Sequence, residues 1–159
     1  MADPPVELRS LSPELAPTVF DAVSDPALYE HLHEAPPASA EALCDRYRFL
    51  VRGAPPEHRE VWLNFFIEHQ GDLVGTVQAT IPAEGPTSIA YVIFRAWQGN
   101  GFATAATRLL LEELRRRGVG QVQVEIAPAN VASLAVARHL GFEPADELDG
   151  DIVLRRTLS

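Results

Sequence analysis

Gln98-Gly99-Asn100-Gly101-Phe102-Ala103-Thr104 lies between a strand-like run, Thr87 to Phe94, and a helix-like run, Phe102 to Arg117. A strand that turns through glycines into a helix start is a ready anion site. The first helical N–H groups have no partner inside the helix, and they point outward at the positive end of its dipole. Glycines let the main chain approach a phosphate with no Cβ in the way. The stretch therefore predicts a phosphorylated cofactor.

Upstream, the apolar period is that of helices and then of strands. Val6 to Ser10 reads as a short strand, and Ser12-Pro13 opens a helix carrying Leu15, Val19, Phe20 and Val23. Ala27 to His33 reads as a short helix or turn. Ser39 caps a second helix with Leu43, Tyr47, Leu50 and Val51 on one face, ended by Gly53. The period then changes to two over Val61 to His69, Leu73 to Ile81 and Thr87 to Phe94. The short turns between these runs join antiparallel neighbours.

Downstream, Ala106, Leu109, Leu110 and Leu114 form one apolar helix face, and Gly118 stops the helix. Gln121 to Ile126 is a strand, Ala132 to Leu140 a helix capped by Gly141, and Asp151 to Thr157 a last strand. The predicted order is β-α-α-β-β-β-α-β-α-β. This is an α+β (mixed α/β) chain, residues 1–159 as one domain, with helices on both faces of a single, mostly antiparallel sheet.

Composition narrows the function. The chain is 47% apolar and 22% charged, with no run of ~18 apolar residues and no basic start of a signal peptide. Its one cysteine, Cys44, has no internal disulfide partner. These features predict cytoplasmic residence. A formal net charge of −9 argues against nucleic acid and membrane surfaces as partners. Arginines concentrate between Arg95 and Arg138, whereas Asp and Glu dominate up to Glu84. That asymmetry suits an anionic cofactor and a cationic substrate, and it also suits a solvated surface with no message. Exposed sheet edges allow a homodimer.

Two cofactors compete for the glycine turn. Gly99-Asn100-Gly101-Phe102-Ala103-Thr104 approaches the dinucleotide pattern G-x-G-x-x-G/A, with Glu125 near the place of a ribose-binding acid. Thr104 stands at the third glycine, however, and a meander precedes a unit that should open the fold. The second reading is a resemblance. Gln98, Gly101 and Ala103 fit Gln/Arg-x-x-Gly-x-Gly/Ala after a strand, Ala90 to Phe94. Asn130-Val131-Ala132-Ser133 and then Leu140-Gly141-Phe142 follow at the spacing of a second motif. Together they resemble the GNAT superfamily of N-acetyltransferases over nearly the whole chain. Within it the chain is most similar to the subgroup with ribosomal-protein N-terminal and small-amine acetyltransferases.

The resemblance implies acetyl-CoA as cosubstrate and direct attack of a primary amine on its thioester. The acceptor would be a small amine, an amino sugar or a peptide N-terminus. The pyrophosphate would rest on Gly99, Asn100, Gly101, Phe102, Ala103 and Thr104, beside Gln98. The main chain of the strand Tyr91 to Phe94, with Val92, Ile93 and Phe94 as the cofactor-binding residues, would pair with the pantetheine arm, next to a neighbour, Val122 to Ile126, that splays away. An N–H near Ile93 or Phe94 would receive the developing oxyanion. Asn130 would bond the arm, or else make only an Asx-turn.

The catalytic assignments depart from the family. The tyrosine that many members use as acid is replaced by Ala137, and a glutamate common after the Thr of the first motif is replaced by Ala105. Ser133 is the substitute acid, or a first-turn serine bonded to the backbone. Glu125 is a candidate base, or a solvated glutamate. Asn64 and Glu68 share a strand face and are candidate acceptor-pocket residues. Glu30-His31-Leu32-His33-Glu34 invites comparison with a metal site, but His-x-His without further ligands is poor evidence and no metal is expected. Glu30, His31 and His33 instead form a candidate loop for a cationic amine, with an exposed loop as the competing reading. A non-catalytic acyl-CoA-binding module is the alternative function.

Overall fold

A computed structural model describes residues 2–159. Its strands are β1 (Glu7–Ser10), β2 (Val61–His69), β3 (Asp72–Ile81), β4 (Thr87–Ile93), β5 (Gln121–Ile126), β6 (Glu143–Leu148) and β7 (Asp151–Thr157). Its helices are α1 (Ala16–Val23), α2 (Ala40–Arg52), α3 (Phe102–Arg116) and α4 (Val131–His139). One seven-stranded sheet runs in the order β1-β2-β3-β4-β5-β7-β6. Among paired neighbours only β4 and β5 are parallel, joined by the α3 crossover.

Alternation along the strands divides the side chains between two cores. Ile67, Val77, Ile89 and Val122 pack with Leu110 and Leu114 of α3 and Leu134 of α4. Phe66, next to Ile67, faces the other way and packs with Val19 of α1 and with Leu43 and Tyr47 of α2. The helices thus cover both faces of the sheet, as the sequence predicts. The β2–β3 hairpin turns through Gln70 and Gly71, both at positive φ (50° and 87°), the pair of conformations that a type I′ turn needs.

α3 and α4 stop in the same way. Gly118 N–H donates to Arg115 O at 3.0 Å and Val119 N–H to Leu114 O at 3.0 Å. Gly141 N–H donates to Arg138 O at 3.0 Å and Phe142 N–H to Ala137 O at 2.9 Å. These are paired Schellman bonds, and each needs a left-handed residue that glycine supplies. Leu140-Gly141-Phe142 is therefore a helix stop whose phenyl ring is buried in the core.

Three local expectations change. β6 is an added strand: every residue in it is exposed, and it carries Pro144, which is tolerated at a sheet edge. Val51 is 55% exposed and does not share the buried face of Leu43 and Tyr47. Ser12 makes no side-chain cap; a 3-10 turn, Pro13–Leu15, leads into α1 instead. Ser39 does cap α2, accepting from Ala42 N–H at 3.0 Å.

Candidate functional site

The central feature is a split in the sheet. β4 pairs with β3 as far as Ile93, but its pairing with β5 ends at Ile89 and Val124. Phe94 N–H donates to Val74 O at 2.9 Å. Main-chain groups alternate between the two edges of a strand, so those of Val92 also face β3, and those of Tyr91 and Ile93 face the gap. Ile93 O accepts from Gln98 Nε2 at 2.9 Å. The N–H expected to meet an oxyanion near Ile93 or Phe94 is thereby narrowed to Ile93, since that of Phe94 is already committed to Val74.

The glycine turn stands at the end of this gap. Gly99 and Gly101 lie at φ +80° and +83°, and a Cβ on Gly99 would project into open space. The first helical bond of α3 runs from Ala105 N–H to Gly101 O at 3.1 Å. The N–H groups of Phe102, Ala103 and Thr104 precede it, and no side chain caps them among the described residues. The cradle thus has free donors and room for a phosphate, the fit that acetyl-CoA requires. Asn100 turns its amide to the loop itself, donating to Trp97 O at 3.1 Å and Gln98 O at 3.2 Å. Phe102 is buried and packs edge-on against Trp97, with ring centroids 5.9 Å apart.

Two cavities flank the split. One, of about 480 Å³, takes in Ile93, Gln98, Gly99, Gly101, Phe102, Ala103, Thr104 and Ala132. The other, of about 440 Å³, takes in Asn64, Gln78, Glu125, Asp151, His33, Glu34 and Arg46. They share Leu28, His31, Leu32, Tyr91, Val92, Asn130 and Ser133. Most of the cofactor residues expected from sequence fall in the first, and most of the acceptor residues in the second.

The start of α4 forms part of the shared wall. Asn130 is its N-cap, with Oδ1 accepting from Ser133 N–H at 3.2 Å. The Asx-type cap is therefore real, and the amide nitrogen remains as a donor. Tyr91 O–H donates across the split to Ser133 O at 2.9 Å. Burial raises the Tyr91 pKa above the usual phenol value, against a smaller lowering by its bond to Ser133. Tyr91 lines both cavities; the sequence reading gave it a main-chain part only, because strand parity marks its side chain merely as a core position.

On the acceptor side, His33 Nε2 lies 3.2 Å from Asp151 Oδ2. That contact ties the segment between α1 and α2 to the start of β7. Asp151 is buried and was missed, because nothing in a local pattern pairs residues 118 apart. Arg46 and Glu34 are 3.8 Å apart. Glu30 lies on the cofactor side, exposed, rather than with the acceptor residues. Glu68 lines neither cavity. It keeps the face it shares with Asn64, since the register of β2 with β1 runs unbroken from Phe65 to Glu68, but it stands at the far end of β2 and pairs with Arg9 at 3.0 Å on the sheet edge. Among the described residues, no three His, Cys, Asp or Glu side chains gather to hold a metal ion.

Residues 6–143 match the model of the acetyltransferase (GNAT) domain. [Ribosomal protein bS18]-alanine N-acetyltransferase of Escherichia coli (strain K12) is 27% identical over 86 residues, 54% of this chain and 58% of that protein. The chain therefore spans a little over half the length of this curated relative. Among solved structures, an acetyl transferase from Salmonella typhimurium aligns with a TM-score of 0.80 at 22% identity, over 97% of this chain and 95% of that one. It is described as modifying the N-terminal serine of 50S ribosomal subunit protein L7/L12. Mycobacterium smegmatis RimJ, in complex with CoA-disulfide, aligns with a TM-score of 0.81 at 21% identity, over 96% and 81%.

Proposed function

The chain belongs to the GNAT acetyltransferase family, and from that premise we propose that it transfers an acetyl group from acetyl-CoA to a primary amine. The observation that carries this reading is the split: β4 runs on to Ile93 after its pairing with β5 has ended at Ile89. An amide-bearing arm can complete that open edge as a strand would, and a dinucleotide has no such arm.

When bound, acetyl-CoA supplies an activated thioester. The N–H groups of Phe102 to Thr104 and the turn at Gly99, which is open to solvent, hold its pyrophosphate. The main chain of Tyr91 holds the arm, and the free amide nitrogen of Asn130 adds a donor. In this reading Ile93 N–H receives the developing negative charge, where a fixed donor contributes most. Ser133 Oγ is the proton donor to the departing sulfur. It stands on the wall that both cavities share, whereas Ala137 is buried in the core and carries no acid.

In the acceptor cavity Glu125 has no ion-pair partner among the described residues and favours a cationic group. Asn64 and Gln78 supply neutral hydrogen-bonding groups, and His33 is engaged with Asp151. A small amine, an amino sugar and a peptide N-terminus all suit this lining, and the bacterial relatives favour the peptide. The same reading places the enzyme in the cytoplasm, where its cosubstrate is made, and allows a homodimer through an open sheet edge.

Calorimetry with acetyl-CoA and with NAD, followed by CoA release over a panel of amines, tests the proposal. Tight binding of acetyl-CoA and acceptor-dependent release are expected. Preference for NAD would overturn the cofactor. Binding with no release for any amine would leave only an acyl-CoA-binding module. In Ser133→Ala, turnover should fall about 10²-fold or more; intact turnover would remove the serine from the mechanism.

A further inference from the structure

An amine in one cavity meets a thioester in the other only at the wall they share. Leu28, Leu32 and Val92 on that wall carry no exchangeable proton. The amide of Asn130 and the hydroxyl of Ser133 do not take up protons near neutral pH. Tyr91 keeps its own proton, because burial disfavours the phenolate and the O–H is engaged with Ser133 O at 2.9 Å. His31 is what remains, and imidazole is the side chain suited to accept a proton near neutrality. Glu125 and Asp151 line the acceptor cavity but not the shared wall.

His31 is held through its main chain. It is half-buried and makes no side-chain hydrogen bond among the described residues. The chain is anchored on both sides of it. Before it, Asp25 caps the turn Pro26–Tyr29 by accepting from Ala27 N–H at 3.0 Å, and Tyr29 O–H donates to Val23 O at 2.8 Å. After it, Leu32 N–H donates to Tyr29 O at 3.1 Å, and His33 meets Asp151.

We propose that His31 is the general base that takes the proton from the attacking amine. This rests on the acetyl-transfer reading. As the amine nitrogen bonds to the acetyl carbon, the carbon–sulfur bond breaks and the amine proton passes to the imidazole. The sulfur takes a proton from Ser133 Oγ, and the proton on His31 returns to Ser133 through water, so the protein gains and loses none.

The charged surroundings sharpen the role. Glu30, His33 and Glu34 are its neighbours on the same segment. Arg46 and Tyr47 of α2, Glu125 of β5 and Asp151 of β7 line the acceptor cavity with it. Arg46 lies beside Glu34 at 3.8 Å and His33 beside Asp151 at 3.2 Å, which leaves Glu125 as the unpaired charge facing the acceptor.

The test compares wild type with His31→Gln and His31→Ala, with the best amine of the panel as acceptor. Both variants should bind CoA within about twofold of wild type by calorimetry, and kcat should fall about 10²-fold with acceptor KM little changed. The acidic limb of the kcat/KM profile should disappear, and added imidazole should restore part of the His31→Ala rate. A risen acceptor KM with intact kcat would make His31 a binding residue and overturn the proposal. An unchanged acidic limb would overturn it too, while leaving acetyl transfer standing. Wild type that releases no CoA with any amine would overturn both.

Discussion

A side chain on Gly75 would collide with the carbonyl of Val92 and crowd Ile93. The glycine lies opposite the end of β4, where the main chain of β3 must come close. Its tolerance is set by backbone, which cannot rotate aside, so Gly75→Ala should cost about 1–3 kcal/mol. That corresponds to a fall of several degrees in Tm, measurable by circular dichroism, and an unchanged Tm would show that β4 can yield. A neighbouring residue controls the width of the split. Tyr91→Phe removes the bond across it to Ser133 O and leaves the ring in place. The loss of one such bond predicts an acetyl-CoA KM raised about three- to tenfold with a smaller fall in kcat. If kcat falls far more than KM rises, Tyr91 acts on the reacting atoms and not on the position of α4.

Among the elements, α3 carries an anomaly on its buried face. Thr107 is fully buried, and its Oγ1 has no hydrogen-bond partner. Replacing an unsatisfied hydroxyl by an isosteric methyl removes a desolvation cost. Thr107→Val should therefore leave the urea midpoint unchanged or raise stability by up to about 1 kcal/mol, and a clear loss would reveal a bond the hydroxyl makes in solution. The rest of α3 was legible in sequence, because its apolar stripe and its glycines at both ends are local signals. The β2–β3–β4 meander was legible for the same reason: period-two runs with short turns between them. β6 was not. Glu143-Pro144-Ala145-Asp146-Glu147-Leu148 has no alternation, since an edge strand exposed throughout has no face to bury. The split itself was foreseen only through family resemblance. Where two parallel strands part is decided by packing between elements, and no periodicity records it.

At the scale of the molecule, the two-sided core and the cofactor side could be read from the chain, whereas the acceptor cavity could not. It gathers His31, Asn64, Glu125 and Asp151 from four separate segments, which no local pattern brings together. The same two-sided burial governs alkaline stability. All three tyrosines have raised pKa values, each chiefly through burial. Tyr29 is raised further by the charge of Glu34 and lowered in part by Arg46. Tyr47, packed edge-on to Phe66 at 5.7 Å, is pushed up to about 12. An unfolded phenol ionises near pH 10. Between the two values the unfolded chain releases a proton that the folded chain keeps, so the Tyr47 contribution is complete below about pH 10 and is lost as pH climbs through about 12. A shift of about two units corresponds to roughly 2–3 kcal/mol. Urea midpoints taken from about pH 9 to about pH 12 should therefore fall steeply in wild type and less steeply in Tyr47→Phe, which has no phenol to ionise. An equal fall in both proteins would assign the alkaline loss to groups outside the core between α1, α2 and the sheet.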